Sequence, residues 1–219
     1  MRGVHGRAAL ARDVFDHLDR TVVPISAQTT RSNSGWPPAG GIQVIDRFLT
    51  PATCARILEE LEFALWRPSL TYVQQADGQR RDVLTPLRVS RTAQQSWFTT
   101  ELQATLRGIE RRLCKRFGCE PAYLESWQAT DYPNGGTFHY HLDSGYWDDH
   151  PAGDRILTAL IYLTTPVRGG GTHFRAQDVR LQAQTGRMVV WNNLFDDGRA
   201  TTAWCTPACR CARGARRRS

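Results

Sequence analysis

Lysine is nearly absent from this chain of 219 residues, since Lys115 is the only lysine among 28 basic residues, and methionine occurs only twice. No run of about 18 apolar residues occurs, so we expect no membrane-spanning helix and no membrane partner. Residues 1–20 contain no unbroken apolar stretch, which argues against a secretory signal and predicts a cytoplasmic protein. Aromatic residues are plentiful (seven Trp, six Tyr and eight Phe) and exclude disorder over the whole length.

Charge and cysteine are concentrated at the C-terminal end. Residues 199–219 hold six arginines, no acidic residue and three of the six cysteines, which leaves 22 basic against 21 acidic residues elsewhere. We therefore divide the chain into a partly disordered appendage (1–38), a domain (39–198) and an anomalous Arg/Cys-rich tail (199–219). For the tail, a nucleic-acid-binding arm and a cysteine metal site stay open as alternatives. It lacks the aromatic residues interleaved with basic ones, and the recognition motif, that support specific nucleic-acid binding, and it lacks the Cys-x₂-Cys spacing of zinc sites.

Hydrophobic periodicity predicts helices followed by many short strands. Helices are expected over 8–20, from a Thr50 cap with Pro51 as first residue, and from Thr100, with Gln103 completing a capping box, to Gly118. Strands are expected over 42–45, 123–132, 137–143, 155–164, 172–174, 178–182 and 187–192. This order predicts a mainly β, α+β domain, built as a helix-backed sandwich or barrel of the jelly-roll type.

The tripeptide His-Leu-Asp occurs twice, beginning at His17 and at His141. In a helix, residues i and i+2 point about 200° apart. His17 and Asp19, within the helix predicted over 8–20, are therefore expected not to bind one metal ion. In a strand, i and i+2 share a face, so His141 and Asp143 are suited to chelation. They form two corners of a 2-His-1-carboxylate Fe(II) site if a distant histidine completes it. The alternative is a surface histidine beside an unrelated aspartate.

Other histidines are candidates for the third ligand. His173 lies in a glycine-rich turn and is predicted to be a strand-surface residue. On an extended strand, His139 and His141 would lie on the same face, with His139 one further step along that strand. His150 lies in a predicted loop and is expected to be solvated. Cys114 and Cys119, which flank the end of the second long helix, are expected to be reduced thiols.

Residues 132–143 resemble the iron-binding segment of prolyl-4-hydroxylase-like 2-oxoglutarate/Fe(II) dioxygenases. Tyr132 lies nine residues before the second His-Leu-Asp, where the family has a tyrosine that contacts 2-oxoglutarate. Residues 153–163 resemble the family's Arg-x-x-Thr strand, whose tyrosine, here Tyr162, can also reach the co-substrate. Gly-Gly-Gly-Thr-His-Phe at 169–174 resembles the Gly-Gly-x-Thr-x-Phe turn that follows. These motifs occur in the family's order.

The resemblance implies a double-stranded β-helix (jelly roll) supported by N-terminal helices. It implies 2-oxoglutarate- and O₂-dependent hydroxylation of an unactivated C–H bond in a prolyl, other amino-acid or small-molecule substrate, with succinate and CO₂ as co-products. His141 and Asp143 would hold Fe(II), Tyr132 and Tyr162 would line the 2-oxoglutarate pocket, and ascorbate would be the reductant. No specific nucleic-acid partner is implied, and the oligomeric state is not indicated.

The family's C-terminal motif, His-x-Gly-x-Pro-Val-x-x-Gly-x-Lys, is missing, because no histidine follows His173. Its histidine is the third ligand, and its basic residue pairs with the far carboxylate of 2-oxoglutarate. When the codons of residues 203–216 are read from their third bases, they permit Val-Val-His-Ala-Gly-Leu-Pro-Val-Arg-Ala-Gly-Arg-Lys. We therefore predict a frameshift near 198–203. The alternative is a non-catalytic remnant that lacks the distal histidine and the basic residue.

Overall fold

The computed structural model describes residues 15–22, 35–74, 80–144, 155–167, 169–175 and 178–193. Within these residues the helices and strands, in chain order, are β1 (Phe15–Val22), β2 (Ile42–Ile45), α1 (Pro51–Leu61), β3 (Arg67–Pro68), β4 (Thr71–Gln74), β5 (Arg80–Val83), β6 (Arg91–Gln94), α2 (Thr100–Phe117), β7 (Gln128–Tyr132), β8 (Leu157–Tyr162), β9 (Thr172–Phe174), β10 (Val179–Leu181) and β11 (Met188–Asn192). Neither helix is long and apolar enough to cross a membrane. The predicted tail lies outside the described residues, and the predicted domain limits stay predictions.

A seven-stranded antiparallel sheet in the order β2-β11-β8-β1-β7-β6-β3 organises the described residues. Two-stranded sheets, β9–β10 and β4–β5, accompany it. Every residue of β8 is buried, as its largely apolar alternating faces predicted. One face of the sheet, called here the helix face, carries Ala159 and Ile161 in a core shared with both helices. The opposite face, called the site face, carries Leu160 and Tyr162 in a second core with Phe174 of β9.

Helix α1 begins as predicted. The Thr50 hydroxyl accepts a hydrogen bond from the Thr53 amide at 3.1 Å, and Pro51 occupies the first helical position, where no amide donor is needed. Three apolar residues, Cys54, Ile57 and Leu61, are buried along one side of the helix. This apolar stripe places α1 against α2 on the helix face.

Helix α2 ends as predicted, but its N-terminal cap differs. Gly118 adopts the left-handed conformation (φ 59°) that ends many helices. The capping side chain is that of Thr99, whose hydroxyl accepts from the Leu102 amide at 3.0 Å, so the helix is capped one residue earlier than expected. The predicted capping box is wrong, because the Gln103 side-chain amide donates to the carbonyl of Phe98 instead.

The helix predicted over 8–20 is wrong where the structure describes it, because residues 15–22 form β1 at the centre of the sheet. β1 pairs with β7 on one side and with β8 on the other. Pairing with two strands satisfies backbone groups along both edges of β1, and this nonlocal gain outweighs the local preference for helix. The helical spacing that was expected to separate His17 from Asp19 therefore does not apply to β1.

The strand expected over 137–143 is also not formed. This segment makes one isolated bridge, between Arg88 and Phe138, and its amides at Thr137 and His139 donate to the residues before β6. The strand expected over 172–174 is confirmed as β9. The glycine before it is required, since a Cβ on Gly171 (φ 111°) would lie 2.1 Å from a backbone carbonyl oxygen of the adjoining hairpin.

Candidate metal centre

The structure brings His141 and Asp143 together beside the start of β8. The distance from His141 Nε2 to Asp143 Oδ1 is 3.2 Å, and the two side chains are 22% and 17% exposed. Both residues follow the turn after β7 rather than lying on a strand, so the predicted pairing is found although its predicted backbone is not. One nitrogen and one carboxylate oxygen therefore lie together in a partly shielded position.

The imidazole of His141 is oriented by two neighbours. Its Nδ1 lies 2.8 Å from the His139 carbonyl oxygen. Because a carbonyl only accepts, Nδ1 carries a proton and donates this hydrogen bond, which leaves Nε2 as the atom that faces Asp143. The Phe138 ring stacks on the imidazole with centroids 3.7 Å apart, and the guanidinium of Arg88 lies 4.5 Å from the Phe138 centroid on that ring's face. The ring is thus held with Nε2 toward Asp143.

The carboxylate of Asp143 is held by a chain of hydrogen bonds from two strands. Thr158 of β8 donates to Asp143 Oδ2 at 2.9 Å, and the amide of Asn193 donates to the Thr158 hydroxyl at 2.9 Å. Burial raises the pKa of Asp143, but the hydrogen bond and charge of His141, the charge of Arg155 and the Thr158 hydroxyl together hold it below the ordinary value. The carboxylate is therefore kept in the ionised form that binds cations.

The donor set suits a divalent transition metal. A neutral imidazole and a carboxylate are ligands of non-haem Fe(II), and in both residues the atom not facing the partner is bound by protein, as metal ligands usually are. Among the described residues no group of three histidine, cysteine or acidic side chains is placed to hold a metal ion. The part of the chain that the structure describes therefore supplies two ligands.

The other candidate histidines do not complete the site. The prediction that His173 lies on the strand surface is wrong, because its side chain is 8% exposed, with Nδ1 bound to Tyr140 and Nε2 to Asp178. With both nitrogens engaged, His173 is not available as the third ligand. His139 is exposed, and its carbonyl rather than its ring meets His141. His150 lies outside the described residues.

The two predicted co-substrate tyrosines, Tyr132 and Tyr162, are both buried on the site face. The Tyr162 hydroxyl lies 2.6 Å from the Thr172 hydroxyl, and burial raises its pKa far above the ordinary value. Between them in the sheet, the register places His17 opposite both Tyr162 and Thr130. The Thr130 hydroxyl is buried without a hydrogen-bond partner among the described residues, so a polar ligand on this face would satisfy it.

Several supporting residues were missed by sequence reasoning. Thr158 belongs to the Arg-x-x-Thr motif, and this motif was the available signal for its role. Asn193, Phe138 and Arg88 carry no motif of their own, since they reach the site through packing between segments distant in sequence. Only the folded register brings them together.

Comparison with known proteins shows which families this chain is similar to. Residues 127–212 match the family model of the 2OG-Fe(II) oxygenase superfamily. The chain is 29% identical over 128 residues to prolyl 4-hydroxylase subunit alpha-1 of Gallus gallus, covering 56% of this chain and 24% of that relative. It is 28% identical over 117 residues to prolyl 4-hydroxylase subunit alpha-2 of Caenorhabditis elegans, covering 51% and 21%. The chain thus spans under a quarter of the length of these relatives.

The fold is similar to that of a solved oxygenase. The crystal structure of the viral collagen prolyl hydroxylase from Paramecium bursaria Chlorella virus 1 matches with a TM-score of 0.52 and 16% identity, covering 84% of this chain and 91% of that chain. The predicted resemblance to prolyl-4-hydroxylase-like 2-oxoglutarate/Fe(II) dioxygenases is therefore confirmed over the matched residues.

Proposed function

We propose that this protein is a 2-oxoglutarate- and O₂-dependent Fe(II) dioxygenase that hydroxylates a prolyl, other amino-acid or small-molecule substrate. The proposal includes a jelly-roll fold and ascorbate as the reductant. The observation that carries it is the 3.2 Å approach of His141 Nε2 to Asp143 Oδ1 within the region that matches the oxygenase family. The cytoplasmic location stays a prediction.

His141 and Asp143 would hold Fe(II), which when bound supplies the activation of O₂ for C–H hydroxylation. The protein's part is to direct Nε2 toward the metal position and to keep the carboxylate ionised. The His139 carbonyl does the first by accepting a hydrogen bond from Nδ1, and Thr158 helps with the second by donating to Oδ2. Both contacts orient the ligand residues from the side away from the metal position, as neighbours of metal ligands commonly do.

The co-substrate is proposed to lie on the site face, between Tyr132 and Tyr162. 2-Oxoglutarate has a carboxylate at each end and therefore needs hydrogen-bond donors away from the metal as well as at it. The two tyrosines and Thr130 bring three hydroxyls to this face, and that of Thr130 is unsatisfied in the described structure. This supports the predicted role of both tyrosines.

Succinate formation tests the proposed function. Purified chain is incubated with Fe(II), 2-oxoglutarate, ascorbate and a proline-containing peptide, and succinate is measured with and without Fe(II). We expect Fe(II)-dependent succinate that falls by at least about 100-fold in His141→Ala and in Asp143→Ala. Lys115→Gln, on helix α2, is the control that keeps parent activity. Succinate that forms equally in these variants would contradict the assigned ligands.

A catalytically impaired remnant is the second candidate, and one observation favours it. The described residues supply two ligands and no third. Two ligands without a third bind metal weakly. A chain carrying the restored frame after residue 198 is the direct comparison, since that frame permits both the distal histidine and the lysine. Activity only in the restored chain would identify the present chain as the remnant, whereas activity in both would require a third ligand already present.

A further inference from the structure

Three residues, Tyr140, His173 and Asp178, form a hydrogen-bonded chain beside the metal-binding segment. The Tyr140 hydroxyl lies 2.7 Å from His173 Nδ1, and His173 Nε2 lies 3.1 Å from Asp178 Oδ1. His173 is the middle residue of β9 and is buried, whereas Asp178 is exposed at the start of the β10 side of the hairpin. A buried polar side chain with a partner at each nitrogen is unlike an incidental surface contact.

The direction of these hydrogen bonds follows from the chemistry of the residues at the two ends. A carboxylate only accepts hydrogen bonds, so Nε2 of His173 carries a proton and donates to Asp178. In the neutral ring Nδ1 is then bare, and the Tyr140 hydroxyl donates to it. Asp178 has a left-handed backbone (φ 50°), a conformation that aspartate adopts more readily than most residues. The turn thus presents its carboxylate to the buried ring.

Tyr140 connects these three hydrogen-bonded residues to the segment that carries the metal ligands. It lies between His139, whose carbonyl accepts from the imidazole of His141, and His141 itself. On the other side of the segment, backbone hydrogen bonds join Val89 to Thr137 and Leu87 to His139. The segment makes no regular strand, so side-chain contacts contribute to holding it in place. The Tyr140 attachment is the side-chain contact that ties it to β9.

We propose that His173 is a positioning residue for metal binding, an inference that rests on the proposed metal site. It anchors Tyr140 to the β9–β10 hairpin and so fixes the carbonyl of His139 and the imidazole of His141. The edge-on packing of the two rings, with centroids 5.9 Å apart, and the Arg175 guanidinium 5.3 Å from the Tyr140 centroid add to this anchor. Neither His173 nor Asp178 contacts the metal in this role.

Binding of Mn(II) alone, measured by calorimetry, tests the proposal. Tyr140→Phe removes one hydroxyl from a half-exposed ring and His173→Phe fills the same buried space without hydrogen bonds. We expect each to weaken Mn(II) binding about fivefold. The double variant is expected to be no weaker than either single variant, because both break the same link. His173→Gln, which keeps a donor and an acceptor, should recover part of the affinity.

Two controls separate positioning from general stability. Tyr123→Phe, in the short turn after α2, should keep parent affinity for Mn(II). The d–d absorption bands of bound Co(II) should shift in Tyr140→Phe and stay unchanged in Tyr123→Phe, since only the former alters the ligand geometry. Parent-like affinity and spectra in Tyr140→Phe and His173→Phe would overturn this proposal alone. Failure of the parent chain to bind Mn(II) would overturn the proposed function together with it.

Discussion

The same tripeptide, His-Leu-Asp, is used in two different ways in this molecule. The copy that begins at His17 lies in a regular strand with a partner on each side. The copy that begins at His141 follows a turn, in a segment without regular strand pairing. In the second copy, His141 Nε2 and Asp143 Oδ1 are 3.2 Å apart.

The difference teaches that the tripeptide alone does not make a chelating pair. The second copy has a carbonyl for Nδ1 of His141 and a hydroxyl for Oδ2 of Asp143, so each ligand is oriented by a neighbour. The first copy lies in β1, the strand that completes the sheet between β7 and β8. The residues around each copy, rather than the three residues of the motif, decide which copy is assigned metal binding.

Deletion of β1, the strand that carries the first copy, is the strongest test of its role in the sheet. Removal of residues 1–34 leaves the facing edges of β7 and β8 without a partner in the middle of the sheet. We expect the melting temperature to fall by more than about 10 °C, or the protein to aggregate. Removal of residues 1–14 keeps β1 and should leave the melting temperature unchanged. Calorimetry of the two truncated chains measures both melting temperatures. Equal melting temperatures would contradict the central position of β1.

Thr158→Val sharpens the chemical half, because it removes the hydroxyl that donates to Asp143 and keeps the shape of the side chain. We expect Mn(II) affinity to fall about tenfold, as is typical when a group that orients a ligand is lost. Thr165→Val is the matched control, since the Thr165 hydroxyl bonds to Thr185 away from the site. Comparable losses in both variants would show a general effect on stability rather than on the ligand.

The tyrosines of the site face are expected to give a smaller effect. Tyr132→Phe should weaken 2-oxoglutarate binding to the Mn(II)-loaded protein about fivefold, because a hydrogen bond to a carboxylate is lost. Tyr162→Phe should weaken this binding to a similar extent. Titration calorimetry with Tyr123→Phe as control measures both. A parent-like affinity in Tyr132→Phe would remove this tyrosine from the co-substrate pocket.

Local signals predicted the elements that depend on local interactions. The Thr50 cap, the Gly118 stop and the fully buried β8 were all correctly predicted, because each is set by residues close in sequence. The cap of α2 was placed one residue late, since Thr99 and Thr100 are both good caps. In the structure, Thr99 is the cap, and the Gln103 side-chain amide donates to the Phe98 carbonyl.

Features that depend on distant segments were not predicted. Residues 15–22 have helix-compatible residues and become a strand only because β7 and β8 offer two free edges. The burial of His173 depends on Tyr140 and Asp178, which join it from a separate segment and from across a hairpin. The pairing of His141 with Asp143 was predicted from a strand that does not form. The motif therefore identified the residues, although the backbone that brings them together was different.

Metal affinity of four single variants tests the central claim most directly. Mn(II) binding is measured for His141→Ala and Asp143→Ala, and for His17→Ala and Asp19→Ala, under the same conditions. The account predicts losses of at least about 100-fold in the first pair and affinities within about twofold of the parent in the second. Equal losses in the two pairs, or a larger loss in the first copy, would contradict the assignment of chelation to His141 and Asp143.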